Sequence, residues 1–141
     1  IIGCARIPGE RAKIILQANG ANIDPVGATV GVKGVRINAV SKELHNENID
    51  CIEFTNESEI LISRALAPAI VNSVKIEDKK AIVNLNSEQK SKAIGKNGIN
   101  IRLASMLSGY EIELNELSSS HLNNAISNEE AMKNLQDLFK I

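Results

Sequence analysis

Apolar residues recur along this chain with two periods, and the switch between the periods repeats. Residues 1–6 and 11–18 carry the short Ile-, Ala- and Leu-rich runs of strands, joined by Ile7-Pro8-Gly9-Glu10. Proline presets φ and glycine accepts a positive φ, so those four residues predict a hairpin turn. Beyond the loop Asn19-Gly20-Ala21-Asn22, Asp24 stands as an N-cap before Pro25, which predicts a short helix over 25–30. Gly31-Val32-Lys33-Gly34 breaks it. Val35, Ala39 and Val40 then share one stripe of a helix over 35–44, and 49–54 reads as a strand.

The second half reads the same way. A helix over roughly 55–66 is stopped or bent near Pro68. Strands follow over 71–76 and 80–85, about a tip at Glu77-Asp78-Lys79. Asn86 or Ser87 caps a helix to Ile94, Gly95-Lys96-Asn97-Gly98 interrupts it, and a helix over 99–107 ends at Ser108-Gly109. Residues 110–114 give a last strand, 115–127 a polar linker, and 128–140 an amphipathic helix with Ala131, Leu135, Leu138 and Phe139 on one side.

The halves therefore run β-β-α-[GxxG]-α-β and α-β-β-α-[GxxG]-α-β, one unit used twice. The first lacks only an opening helix, which would lie before Ile1; the chain, opening without Met, is expected to be cut from something longer. The units are expected over 1–55 and 56–115, with 116–141 as linker and terminal helix. Each is small enough for a marginal core alone, so the two are expected to pack together or share a linker helix.

Composition narrows the chemistry. The chain has 141 residues, 43% apolar, which fits a globular protein. Its aromatic residues are Phe54, Tyr110 and Phe139, too few for surfaces that grip bases by stacking on rings. The net charge is −1, but it is unevenly spread: residues 1–110 carry 14 basic and 11 acidic side chains, and residues 111–141 carry 2 and 6. Lys90, Lys92, Lys96 and Arg102 gather around the second glycine pair. Cys4 and Cys51 lie far apart in apolar runs, predicting buried reduced thiols, no zinc site and a cytoplasmic setting. No signal peptide, membrane span or catalytic set is visible, and the glycine pairs lack the ending of a P-loop. The sequence thus predicts no enzyme, no cofactor, no metal and a monomer. His45 and His121 read as surface residues.

A GxxG link between helices has a specific use. The second helix presents free N–H groups and the positive end of its dipole, and glycine lets a phosphodiester approach closely. The predicted contacts are Gly31, Val32, Lys33, Gly34, Arg36 and Asn38 in the first copy, and Gly95, Lys96, Asn97, Gly98, Asn100 and Arg102 in the second. Val30, Val35, Ile37, Ile94, Ile99 and Ile101 would line an aliphatic groove for bases. Arg and Asn exchange places between the copies, so the two sites are expected to read different bases.

Helix–GxxG–helix in this order resembles the type II KH domain, and the pair resembles the NusA family of transcription termination/antitermination factors. The resemblance rests on Ala5-Arg6-Ile7-Pro8-Gly9-Glu10-Arg11-Ala12-Lys13-Ile14, Asn22-Ile23-Asp24-Pro25-Val26-Gly27-Ala28, Gly31-Val32-Lys33-Gly34-Val35-Arg36 and Ala39-Val40-Ser41-Lys42-Glu43-Leu44. It continues in Leu66-Ala67-Pro68-Ala69 and in Ala93 to Ala104, spanning roughly 1–115; residues 116–141 match no motif of the family. It implies an α+β fold, an α/β sandwich of two tandem type II KH domains, each a three-stranded mixed sheet with helices on one face. It also implies single-stranded nascent RNA as ligand, with RNA polymerase and other transcription factors as partners. The near-neutral charge favours a rival, a protein-interaction module contacting RNA polymerase or another factor with little RNA binding of its own.

Overall fold

The computed structural model describes residues 1–117. Six strands and five helices follow in the expected order: β1 (Gly3–Ile7), β2 (Arg11–Leu16), α1 (Pro25–Val30), α2 (Val35–Glu43), β3 (Asn48–Glu53), α3 (Ser58–Ala65), β4 (Ser73–Glu77), β5 (Lys80–Asn86), α4 (Ser87–Ile94), α5 (Ile99–Ser108) and β6 (Glu111–Leu117). They form two three-stranded sheets, β1-β2-β3 and β4-β5-β6. In each, the hairpin is antiparallel and the last strand runs parallel to the central one. The sequence predicted this mixed α+β architecture, built twice.

In the second unit, strict alternation on β5 buries Ala81, Val83 and Leu85 and leaves Ile82 and Asn84 half-exposed. The buried side chains meet Ile62 and Ala65 of α3, Leu66 just beyond it, and Ala93 and Ala104 of α4 and α5. The other face is polar, with Asn84 hydrogen-bonded to Ser73 and Asn115.

The first unit is built differently. Its helices α1 and α2 bury no residue completely. The face of its sheet that bears Cys4, Arg6, Ala12, Ile14 and Ile49 lines an apolar groove of about 260 Å³. The opposite face packs on the second unit: α5 lies against β1 and β2, and Ile52 of β3 belongs to the second unit's apolar cluster. Helices therefore flank the first sheet on both sides, its own on one and α5 on the other.

Three expectations are corrected. Strand β6 continues to Leu117, because Asn115, Glu116 and Leu117 pair with Asn84, Leu85 and Asn86; residues 115–117 are strand and not linker. A hydrogen bond from Asn115 Nδ2 to Asn84 Oδ1 at 2.6 Å and the Lys90–Glu116 ion pair at 3.2 Å hold this polar end, which hydrophobic patterning could not register. Cys4 is exposed and Cys51 half-buried, since both lie on the groove-side strand positions; burial beside Asp50 still pushes the Cys51 thiol up. Asp24 sits at the N-cap of α1, but its side chain makes no capping bond. The expected helix over 128–140 and His121 lie outside the described residues.

Candidate nucleic-acid interface

Each glycine pair forms a single 3-10 turn between two α-helices, and the two turns are near-copies. Gly31 has φ 80°, Lys33 55° and Gly34 76°; Gly95 has 77°, Asn97 57° and Gly98 73°. The backbone bonds match as well: Gly31 N–H donates to Gly27 O and Gly95 N–H to Ser91 O, both at 2.9 Å. Gly34 N–H donates to Gly31 O at 3.0 Å and Gly98 N–H to Gly95 O at 3.1 Å. The residue between the glycines that adopts the left-handed conformation is a lysine in one copy and an asparagine in the other, the second being the cheaper choice.

The two glycines of a pair serve different ends. A Cβ on Gly95 would stand 2.6 Å from Asn100 Cβ, and one on Gly31 would stand 2.8 Å from Arg36 Cγ. The first glycine thus lets the chain pass against its own following helix. The second faces outward: a Cβ on Gly98 would meet nothing within 4 Å. Close approach by a ligand is open at Gly98, while a Cβ on Gly34 would meet the Asn38 amide at 3.4 Å, an ordinary contact; these positions also head α2 and α5.

Around the turns the structure brings some predicted residues together and removes others. Val32 is 81% exposed, and Lys33, Lys96 and Asn97 are exposed beside it and its counterpart. Lys92 and Arg102 are exposed on the flanking helices, as is Asn38 in the first copy. Lys90 is committed to Glu116. Val35 is 67% exposed and Ile99 half-buried, so both can offer apolar surface beside a turn. Ile101 instead packs on the second core, and Ile37 lines the groove of the first sheet. Those two face inward, the periodicity having given them to helices without saying which side met the sheet.

The largest departure concerns Asn100, expected to read a base. It is 1% exposed, and its amide Nδ2 donates to Leu66 O at 3.1 Å, Lys92 O at 3.2 Å and Ala93 O at 3.0 Å. The two hydrogens of that amide serve three carbonyls, one of them through a shared bond. Its Oδ1 is buried without a partner among the described residues. Arg36, at the same place in the first copy, sends Nη1 to Ala28 O at 2.8 Å. Ala28 and Lys92 are equivalent in the repeat. Both side chains fasten the last turn of the helix before the glycines to the helix after them, so the expected exchange of base contacts falls on a structural pair.

The seam between the units carries a charged cluster that the sequence did not reveal. Lys13 is fully buried; its Nζ donates to Asp50 Oδ2 at 2.7 Å and to Ala67 O at 2.8 Å. Arg11 holds the same carboxylate in a fork, Nε to Oδ2 at 2.7 Å and Nη2 to Oδ1 at 3.0 Å. Burial lowers the Lys13 ammonium below its ordinary range, and Asp50 opposes that. On the other side of the sheet, buried Glu47 accepts Arg6 Nε at 2.9 Å and Nη2 at 2.6 Å, together with the Gly9 N–H at 3.0 Å. The Arg6 bond, chiefly, holds the Glu47 carboxyl below its ordinary value. No group of three or more His, Cys, Asp or Glu side chains that could hold a metal occurs among the described residues. Among them, too, no helix is long and apolar enough to cross a membrane.

Two strands, a helix, a GxxG turn, a helix and a parallel strand, built twice, define a tandem of type II KH domains. Residues 1–54 match the NusA-like first KH domain and residues 58–122 the NusA-like second KH domain, and the chain belongs to that family. It is 47% identical to the transcription termination/antitermination protein NusA of Helicobacter pylori strain J99, over 99% of this chain and 43% of the relative. It is 44% identical to the protein of that name from Thermus thermophilus, over 86% of this chain and 32% of the relative. The chain thus spans less than half the length of these relatives. Among solved structures, APE1850 shares the fold, with a TM-score of 0.54 at 20% identity, over 76% of this chain and 80% of that one.

Proposed function

We propose that this chain grips single-stranded RNA with both GxxG turns, as the RNA-binding part of a bacterial transcription termination/antitermination factor. In that setting the ligand is nascent RNA, and RNA polymerase is the partner of the whole factor. The observation that carries the reading is the match between the two turns: the same dihedral sequence, the same bonds, and an open glycine at the head of a helix in each. A phosphate at Gly34 or Gly98 would meet the positive end of α2 or α5, with Lys33 or Lys96 beside it. Asn38, Asn97 and Arg102 are exposed near enough in sequence to add polar contacts, while Arg36 and Asn100 hold the turns in shape. This reading needs no catalytic group or cofactor.

The test is a salt-controlled titration of labelled single-stranded RNA against the parent and Gly98→Asp. A carboxylate placed where phosphate would sit should weaken binding sharply. The parent's log affinity should fall with log salt by about 0.7 for each phosphate contacted. Equal binding by parent and variant would remove the second turn from the interface.

A further inference from the structure

A cleft of about 140 Å³ opens at the seam, with Glu10, Arg11 and Asn48 on the first unit's wall and Gly95, Lys96 and Ile99 on the second's. Its position follows from the fold. Helix α2 starts at the first GxxG turn and runs nine residues, about 13 Å. The chain then turns back and enters β3 at Asn48, in the cleft wall. The cleft thus lies at the end of α2 remote from the first turn, and directly against the second. An RNA strand that touched both turns along α2 would cross it.

The lining is unsuited to phosphate. Arg11 is already held in a fork by Asp50. That leaves Lys96 and Glu10, one charge of each sign, and neither is ion-paired among the described residues. The amide of exposed Asn48, the half-buried side chain of Ile99 and the buried Asn100 also line it. Balanced charge, an amide and an aliphatic wall suit a flat heterocycle with its own donors and acceptors.

We propose that the seam cleft is a base subsite of the RNA path, and that it takes adenine or cytosine in preference to uracil. Both carry an exocyclic amine next to an unprotonated ring nitrogen. The Glu10 carboxylate accepts from the amine, and the Lys96 ammonium donates to the ring nitrogen. Uracil presents a carbonyl where the amine would be, setting oxygen against the carboxylate. This inference rests on the proposed RNA binding and adds a base preference to it.

The test uses the full 141-residue chain and a run of adenosines in which each position in turn is replaced by uridine. One position should cost about fivefold or more in affinity on replacement, in the range of a good base-edge contact. Glu10→Gln, at an exposed turn position, should reduce that penalty to under about twofold while leaving the melting temperature unchanged, because a glutamine amide can also donate to a carbonyl. If the variant kept the parent's penalty, or if no position discriminated, the subsite would be overturned and RNA binding by the turns would stand. If no RNA bound the parent at all, both readings would fall.

Discussion

Lys13 of β2 reaches across the seam to the carbonyl of Ala67, 2.8 Å away, from a position with no solvent exposure. A buried ammonium is tolerable there because Asp50 supplies the opposite charge and Ala67 a second acceptor. Lys13→Met keeps most of the volume, and Arg11 remains to hold Asp50. What is lost is the partner of a carbonyl at the seam, so the variant should be destabilised by about 1–3 kcal/mol. Chemical denaturation of parent and variant checks this.

Arg36 and Asn100 do the same task in different surroundings, so their removal should cost different amounts. Asn100→Ala takes a donor from three carbonyls, of which Leu66 O keeps the Ala69 N–H, and should cost about 1–3 kcal/mol. Arg36→Ala breaks one exposed bond, whose carbonyl water can satisfy, and should stay within about 0.5 kcal/mol. Asn100→Asp should be worse than alanine, since a carboxylate would face the same three carbonyls. Denaturant midpoints of the three variants give the comparison.

Within one turn, the two glycines should respond to a single methyl to different degrees. Gly95→Ala drives a Cβ to 2.6 Å from Asn100 Cβ and 2.9 Å from its backbone nitrogen, so the turn must open and stability fall. Gly98→Ala enters open space and carries only the left-handed backbone cost, about 1–2 kcal/mol. Gly98→Ala should therefore leave a folded protein whose RNA affinity can be measured, whereas Gly95→Ala should first show itself in the melting temperature.

Glu47 links stability to acid. Its folded carboxyl lies below the ordinary 4.5, so it ionises more readily in the folded chain than in the unfolded one. Its contribution is complete above 4.5 and is lost as pH falls from there through the depressed folded value. Glu47→Gln should flatten the loss of stability below that point. Melting curves across acidic buffers, parent against variant, measure the slope.

The order of elements and both turns were legible in the sequence because they depend on local signals: Pro25 and Asp24 at a helix start, Gly109 at a helix end, glycines between helical runs. Lys13 was not, since its partners lie on a parallel strand and beyond it, and no local pattern encodes that register. Asn100 carried a signal that went unused. It sits three and four residues before Leu103 and Ala104, on the stripe that α5 buries. The equivalence of Arg36 and Asn100 in the repeat masks that stripe, because the first copy puts an exposed arginine there. Strand β6 outran its expected end because its last residues pair through amides and charge.

Ile52 belongs to the first unit by chain position and to the second by packing, at 3% exposure within the second unit's cluster. With α5 also lying on β1 and β2, the tandem has no clean line of cleavage. Opening the first unit uncovers apolar surface of the second, so the two should melt in one cooperative transition and not in separate steps. The spacing between their two turns is accordingly a property of the folded block, fixed before any ligand arrives.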